Sequence, residues 1–164
     1  MTESVWDYPR PPRVERSARR IRVHHDGVAL ADTTRAQRVL ETSHPPTYYV
    51  PREDVALGAF EASDGRQSAC EWKGRASYLD VVTPSGRVAR AAWTYCDPLP
   101  SFEALRDAVA FYAQLLDECW VDDERVRPQD GAFYGGWVTK DLVGPFKGAP
   151  GMASFGAGGR SEET

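Results

Sequence analysis

The stretch Ala76-Ser77-Tyr78-Leu79-Asp80-Val81-Val82, the turn Pro84-Ser85-Gly86 and the return from Arg87 to Tyr95 decide the fold class. β-branched and aromatic residues fill both arms, and a Pro/Ser/Gly cluster separates them, which is the pattern of an antiparallel hairpin. Asp97-Pro98 stops the return arm. The same signals recur on either side. Ile21 and Val23 alternate with Arg22 and His24 before the tight-turn string His25-Asp26-Gly27 and the run to Ala31, so a second hairpin is expected there. Thr47-Tyr48-Tyr49-Val50, Cys70 to Lys73 and Val109 to Tyr112 read as strands. Cys119-Trp120-Val121, the turn Asp122-Asp123-Glu124 and Arg125-Val126-Arg127 read as a closing hairpin. Thr33 to Glu41 fits a short helix and a strand equally. Helical signals are few: a first turn at Pro51-Arg52-Glu53-Asp54, with early proline and acids, and a short helix over Ser101–Arg106 opened by a serine cap. Many short strands with one or two short helices predict a mainly-β domain.

The chain has 164 residues, 41% hydrophobic and 27% charged, which suits one globular domain with its own core. A net charge of −4 argues against nucleic acid as a partner, because a phosphate backbone rewards a basic surface. The charge is uneven, with arginines at 10, 13, 16, 19, 20 and 22 against the single acid Glu15. That run is either an anion-facing arm or a solvated basic lead-in. Cys70, Cys96 and Cys119 are odd in number and far apart, so neither a disulfide framework nor a Cys-x-x-Cys metal knuckle is expected, and a reducing cytoplasm is the simplest home. No apolar leader and no run of 18 apolar residues is present, so no membrane partner is expected.

Four regions follow. Residues 1–19 form an extended Pro/Arg-rich arm, whose Trp6 and Tyr8 should lie against the domain. Residues 20–130 form the β domain, 131–148 a C-terminal extension in which Tyr134 to Thr139 has room for a strand, and 149–164 a loose Gly-rich tail.

The string Glu41-Thr42-Ser43-His44-Pro45-Pro46-Thr47-Tyr48-Tyr49-Val50-Pro51 resembles the signature segment of the domain-of-unknown-function family 427. Three further strings agree in order: Cys70-Glu71-Trp72-Lys73-Gly74 with Ala76-Ser77-Tyr78, Ala91-Ala92-Trp93-Thr94-Tyr95 with Asp97-Pro98, and Val109-Ala110-Phe111-Tyr112. The resemblance implies small, strongly coiled antiparallel sheets of the β-tent class. It also brings a nucleotidyltransferase label, although the Gly-Ser plus paired-aspartate pattern of well-known nucleotidyltransferases is missing. The zinc that many β-tent proteins hold on two Cys-x-x-Cys pairs does not carry over, so neither a metal nor a cofactor is expected.

Three constellations could carry chemistry. His44 could serve as general acid or base, oriented by Glu41, with Tyr48 and Tyr49 beside it and Pro45-Pro46 fixing the backbone; the plainer alternative is a locally bonded turn histidine. Lys73 could hold an anion and lower the pKa of Cys70, or be a surface lysine beside a buried thiol. Trp72, Tyr78, Trp93, Tyr95 and Tyr112 could form an aromatic ligand face, since Trp93 and Tyr95 share one face of a strand and Tyr78 shares a face with Asp80; plain core packing would use the same residues. Together Glu41, His44, Tyr48, Lys73, Tyr78, Trp93 and Tyr95 define a candidate pocket for a small-molecule ligand, with catalysis open. The competing expectations are a non-catalytic interaction module, self-associating as a homodimer through residues 6–12 and 137–147, and a nucleotidyltransferase.

Overall fold

The computed structural model describes residues 2–70, 74–129 and 135–147, with backbone alone for 64–70. In chain order the strands are β1 (Glu3–Ser4), β2 (Arg13–Arg16), β3 (Ile21–His25), β4 (Val28–Thr33), β5 (Gln37–Leu40), β6 (Thr47–Tyr49), β7 (Phe60–Cys70) and β8 (Gly74–Thr83). They continue with β9 (Gly86–Thr94), β10 (Val109–Phe111), β11 (Glu118–Val121), β12 (Glu124–Arg125), β13 (Arg127–Pro128), β14 (Trp137–Val138) and β15 (Leu142–Val143). The helical segments are short 3-10 turns. The protein is mainly β, built from several small antiparallel sheets.

Two four-stranded sheets, β10-β9-β8-β7 and β12-β11-β3-β4, and the three-stranded β2-β5-β6 carry the architecture. Val50 and Val109 exchange both backbone hydrogen bonds at 2.8 Å, which joins the β6 edge of one sheet to the β10 edge of another. That join brings the 47–54 segment against the strands of the 76–95 hairpin. The hairpins form where turn chemistry predicts them. Asp26 and Gly27 both have positive φ, at 54° and 75°, the pair a two-residue type I′ turn requires. The ambiguous segment after Thr33 resolves as strand β5, paired on both sides by β2 and β6.

Two local readings change. The strand read as beginning at Cys70 begins ten residues earlier, at Phe60, and the rest of that reading, 71–73, lies outside the described residues. Its middle, Glu61 to Ser68, lacks an apolar alternation because β7 is an edge strand paired only with β8, with a register break between Ala62 and Gln67. The expected helix at Ser101 is a 3-10 segment, Pro100–Leu105, begun by the proline and not by a serine cap. The segment kinks at Phe102, where φ is −120°, and both Phe102 and Leu105 are buried.

The core divides in two. Ile21, Val23, Leu30, Tyr48, Val81, Phe111, Val121 and Trp137 belong to the larger part. Tyr49, Tyr78, Trp93, Tyr95, Phe102 and Tyr112 belong to an aromatic part. Tyr48 and Tyr49 fall on opposite sides because consecutive strand residues point to opposite faces. The N- and C-terminal extensions meet in the parallel pair β1–β15, over a small cluster of Val5, Tyr8, Leu40, Leu142 and Phe146. No helix among the described residues is long and apolar enough to cross a membrane.

Candidate functional site

The aromatic group is assembled by register. β8 and β9 pair Tyr78 directly with Trp93. Trp93 is fully buried, packs on Tyr112 at 4.5 Å between ring centroids, and meets Tyr49 edge-on at 6.2 Å. Its indole N–H donates to the Tyr49 hydroxyl at 3.2 Å, and Tyr49 in turn packs on Tyr95 at 6.1 Å. A register break between Leu79 and Val81 puts Arg90 at φ 54°. The Arg90 guanidinium then lies 4.0 Å from the Tyr78 ring centre, and Asp80 accepts the Arg90 N–H at 2.9 Å. Asp80 also accepts from Ser63 at 2.5 Å and Arg87 at 2.6 Å, and the Ser63 and Arg90 donors together with Arg87 hold its carboxyl below the ordinary carboxylate range.

Glu41 and His44 are buried in a second group. Ser43, at φ 71°, turns the chain so that its carbonyl accepts the Lys147 N–H at 2.8 Å and its own N–H reaches the Val5 carbonyl at 2.9 Å. The Gln129 amide nitrogen sits 3.3 Å from His44 Nδ1 and donates to the Lys147 carbonyl at 2.7 Å. Gly135 and Gly136 connect the two groups. A Cβ on Gly135 would stand 2.2 Å from the Trp93 ring, and one on Gly136 would stand 2.7 Å from the Pro45 carbonyl oxygen. Only glycine permits this close approach.

A concave site lies on the other side of Tyr49. It is a half-open cleft of about 370 Å³, formed by Arg35 before β5 and Gln37 at its start, Tyr49 at the end of β6 and Arg52 after it, and the Ala104–Ala108 segment before β10. Two of its arginines are paired. Arg35 donates to both oxygens of Asp54 at 3.1 Å, and Asp54 is held below its ordinary range by the Thr33 hydroxyl and by Arg35. Arg106 is taken by Glu103 at 2.5 and 3.0 Å and by the Cys96 carbonyl at 2.8 Å, which raises the guanidinium's pKa and lowers that of Glu103. Arg52 is held differently. Its Nε donates to the Asp107 carbonyl at 2.9 Å and its Nη2 to the Thr94 hydroxyl at 3.3 Å, with no carboxylate in ion-pair range among the described residues. Asp107, at φ 61°, is the left-handed residue whose carbonyl receives Arg52.

The pocket residues read from sequence therefore distribute over three places. Tyr78, Trp93 and Tyr95 form the aromatic group, which Tyr49 links to the cleft. Glu41 and His44 form the second group. Tyr48 packs on Trp137 at 5.4 Å in the larger core, where burial raises its pKa. Lys73 and Trp72 lie outside the described residues, as do the Cys70 side chain, Tyr134 and the 149–164 tail. Arg52 and Arg106 were not singled out by sequence, because the first reads as the polar part of a short turn and the second as an ordinary helix former. Arg106 finds its carboxylate three residues away in Glu103, whereas the acceptors of Arg52, Thr94 and Asp107, are distant in the chain.

Fold and site together define a mainly-β domain of small antiparallel sheets with an arginine-lined cleft backed by a buried aromatic group. The chain belongs to the domain-of-unknown-function family 427, which it matches over residues 13–122. The match spans β2 to the end of β11, and so contains every residue that lines the cleft. No curated protein matches the chain.

Proposed function

We propose that this protein is a small-molecule-binding domain and that its ligand occupies the cleft between Arg35, Tyr49, Arg52 and the Ala104–Ala108 segment. The observation that carries this reading is the cleft itself. Its volume of about 370 Å³ lies within the range of small-ligand sites, roughly 300–1,000 Å³. Its wall is rigid, because Tyr49 is locked onto Trp93 and Tyr95 and Arg52 is tied to two backbone-anchored acceptors. A preformed wall loses little conformational freedom when a ligand arrives. Binding at this cleft does not require Glu41 and His44, and no reaction is assigned to them.

The test is a thermal-shift screen of nucleotides and metabolites on the full chain, repeated on Ala104→Trp. Ala104 is exposed at the cleft, so the bulky side chain can enter it without disturbing the core. A ligand at a hundred times its Kd stabilises the native state by about 2.7 kcal/mol. That shift should vanish in Ala104→Trp. A screen without a stabilising compound, or hits that ignore Ala104→Trp, would refute the reading.

A second reading is self-association through the joined terminal extensions. Trp6 is 46% exposed yet fixed by its indole N–H donating to the Pro145 carbonyl at 2.7 Å, and Val143 on the adjoining β15 is 47% exposed. Sedimentation at several concentrations tests it. A monomer at every concentration, unchanged by deleting residues 1–12, would sink it.

A further inference from the structure

We infer that the ligand of the cleft carries a single carboxylate, gripped end-on by Arg52; this rests on the binding reading above. A guanidinium has five N–H donors in a planar fork. The protein uses the side of the Arg52 fork, Nε to the Asp107 carbonyl at 2.9 Å and Nη2 to the Thr94 hydroxyl at 3.3 Å. The Thr94 hydroxyl is itself committed, donating to the Ala108 carbonyl at 2.8 Å, so its oxygen is presented to Arg52 as an acceptor. Three N–H groups remain, one on Nη2 and two on Nη1, and the pair at the end of the fork, one from each Nη nitrogen, has the geometry that takes two carboxylate oxygens. Arg52 is half-buried and already oriented, so binding there immobilises no free side chain.

Charge limits what the site can accept. Arg35 and Arg106 are neutralised by Asp54 and Glu103. Glu53 and Asp107 also line the cleft, both exposed. With Asp97 3.6 Å from Arg106 as well, the surroundings hold three guanidinium groups against five carboxylates, and of the three arginines Arg52 alone lacks a carboxylate in ion-pair range among the described residues. A triphosphate would meet that excess of like charge, whereas one carboxylate matches one guanidinium. Tyr49, Pro51 and Ala108 also line the cleft, but Tyr49 and Ala108 are almost fully covered, so most of the surface it offers is polar. The ligand class is thus a small monocarboxylate.

Calorimetric titration of the full chain tests this with benzoate, phenylacetate and short aliphatic carboxylates, their primary amides, phenyl phosphate, inorganic phosphate and Mg-ATP. At least one carboxylate should bind, and its amide should bind tenfold or more weakly. Arg52→Gln should weaken the carboxylate by tenfold or more and leave the amide unchanged, while Arg52→Lys retains part of the affinity. Circular dichroism on both variants checks that they fold; if Arg52→Gln does not, Arg52→Lys and the carboxylate-to-amide ratio decide. Tighter binding of phosphate or Mg-ATP than of any carboxylate overturns the inference. So does a neutral ligand that is lost in Ala104→Trp but indifferent to Arg52, although the binding reading then survives. If nothing in this panel binds, the inference falls, and the wider metabolite screen decides the binding reading separately.

Discussion

Gly136→Ala is a sensitive probe of how the C-terminal extension is seated. The added Cβ would fall 2.6 Å from the Gln129 side-chain oxygen, 2.7 Å from the Pro45 carbonyl oxygen and 3.0 Å from Pro45 Cγ. Ordinary carbon–oxygen contacts begin several tenths of an ångström further out, so something must move. The Gln129 side chain is not free to swing, because its oxygen accepts the Gly136 N–H at 3.1 Å and its nitrogen donates to the Lys147 carbonyl at 2.7 Å. Pro45 is backbone, tethered through the Trp137 N–H to the Pro46 carbonyl at 2.8 Å. Overpacking in such a site costs about 1–3 kcal/mol, and each hydrogen bond lost in relieving it about 1 kcal/mol more. The expected destabilisation is therefore about 2–4 kcal/mol, a Tm drop on the order of 4–16 °C for a domain of this size. Equilibrium denaturation in urea, followed by tryptophan fluorescence, measures it, with Gly58→Ala as control because a Cβ there meets nothing within 4 Å. A Gly136→Ala protein within about 0.5 kcal/mol of the parent would refute this account of the Gly135-Gly136 segment.

Tyr49→Phe removes the acceptor of the buried Trp93 indole N–H and should cost about 1–3 kcal/mol in the same denaturation experiment; an unchanged midpoint would mean that the 3.2 Å contact contributes nothing. Asp80 has a folded-state pKa below its ordinary value, so its contribution is present above pH of about 4 and is lost as pH falls through that lower value. Asp80→Asn should therefore be less stable at neutral pH and lose less on acidification, and parallel acid-denaturation curves for the two proteins would contradict this. Burial pushes the Cys119 thiol up to about 12, so peptide mapping after iodoacetamide at pH 8 should find it unmodified in the native protein and modified in urea, while exposed Cys96 reacts in both. Native labelling of Cys119 as fast as Cys96 would show that the strand around it opens readily.

How much of this was legible in the chain depends on the range of the interaction. Period-two alternation and turn chemistry act over a few residues, so the hairpins at Ile21–Thr33 and Gly74–Thr94, the short strand at Thr47 and the family were readable from local strings. The direct pairing of Tyr78 with Trp93 was not readable, because the turn sets Thr83 opposite Gly86, a register that would put Tyr78 against Ala91, and the break between Leu79 and Val81 shifts it to Trp93. The polar edge strand from Phe60 was not, because an edge strand needs no apolar alternation on its solvated side. Tertiary structure alone decided which of Tyr48 and Tyr49 faces the cleft, since a strand's two faces are equivalent until the Val50–Val109 bridge sets a neighbour. It also separated Glu41 and His44 from the aromatic group and left Arg52 without a carboxylate in reach while Arg35 and Arg106 found theirs. What holds Arg52 is fixed by its distances to Thr94 and Asp107, 42 and 55 residues further along, and the residue types along the chain do not encode those distances.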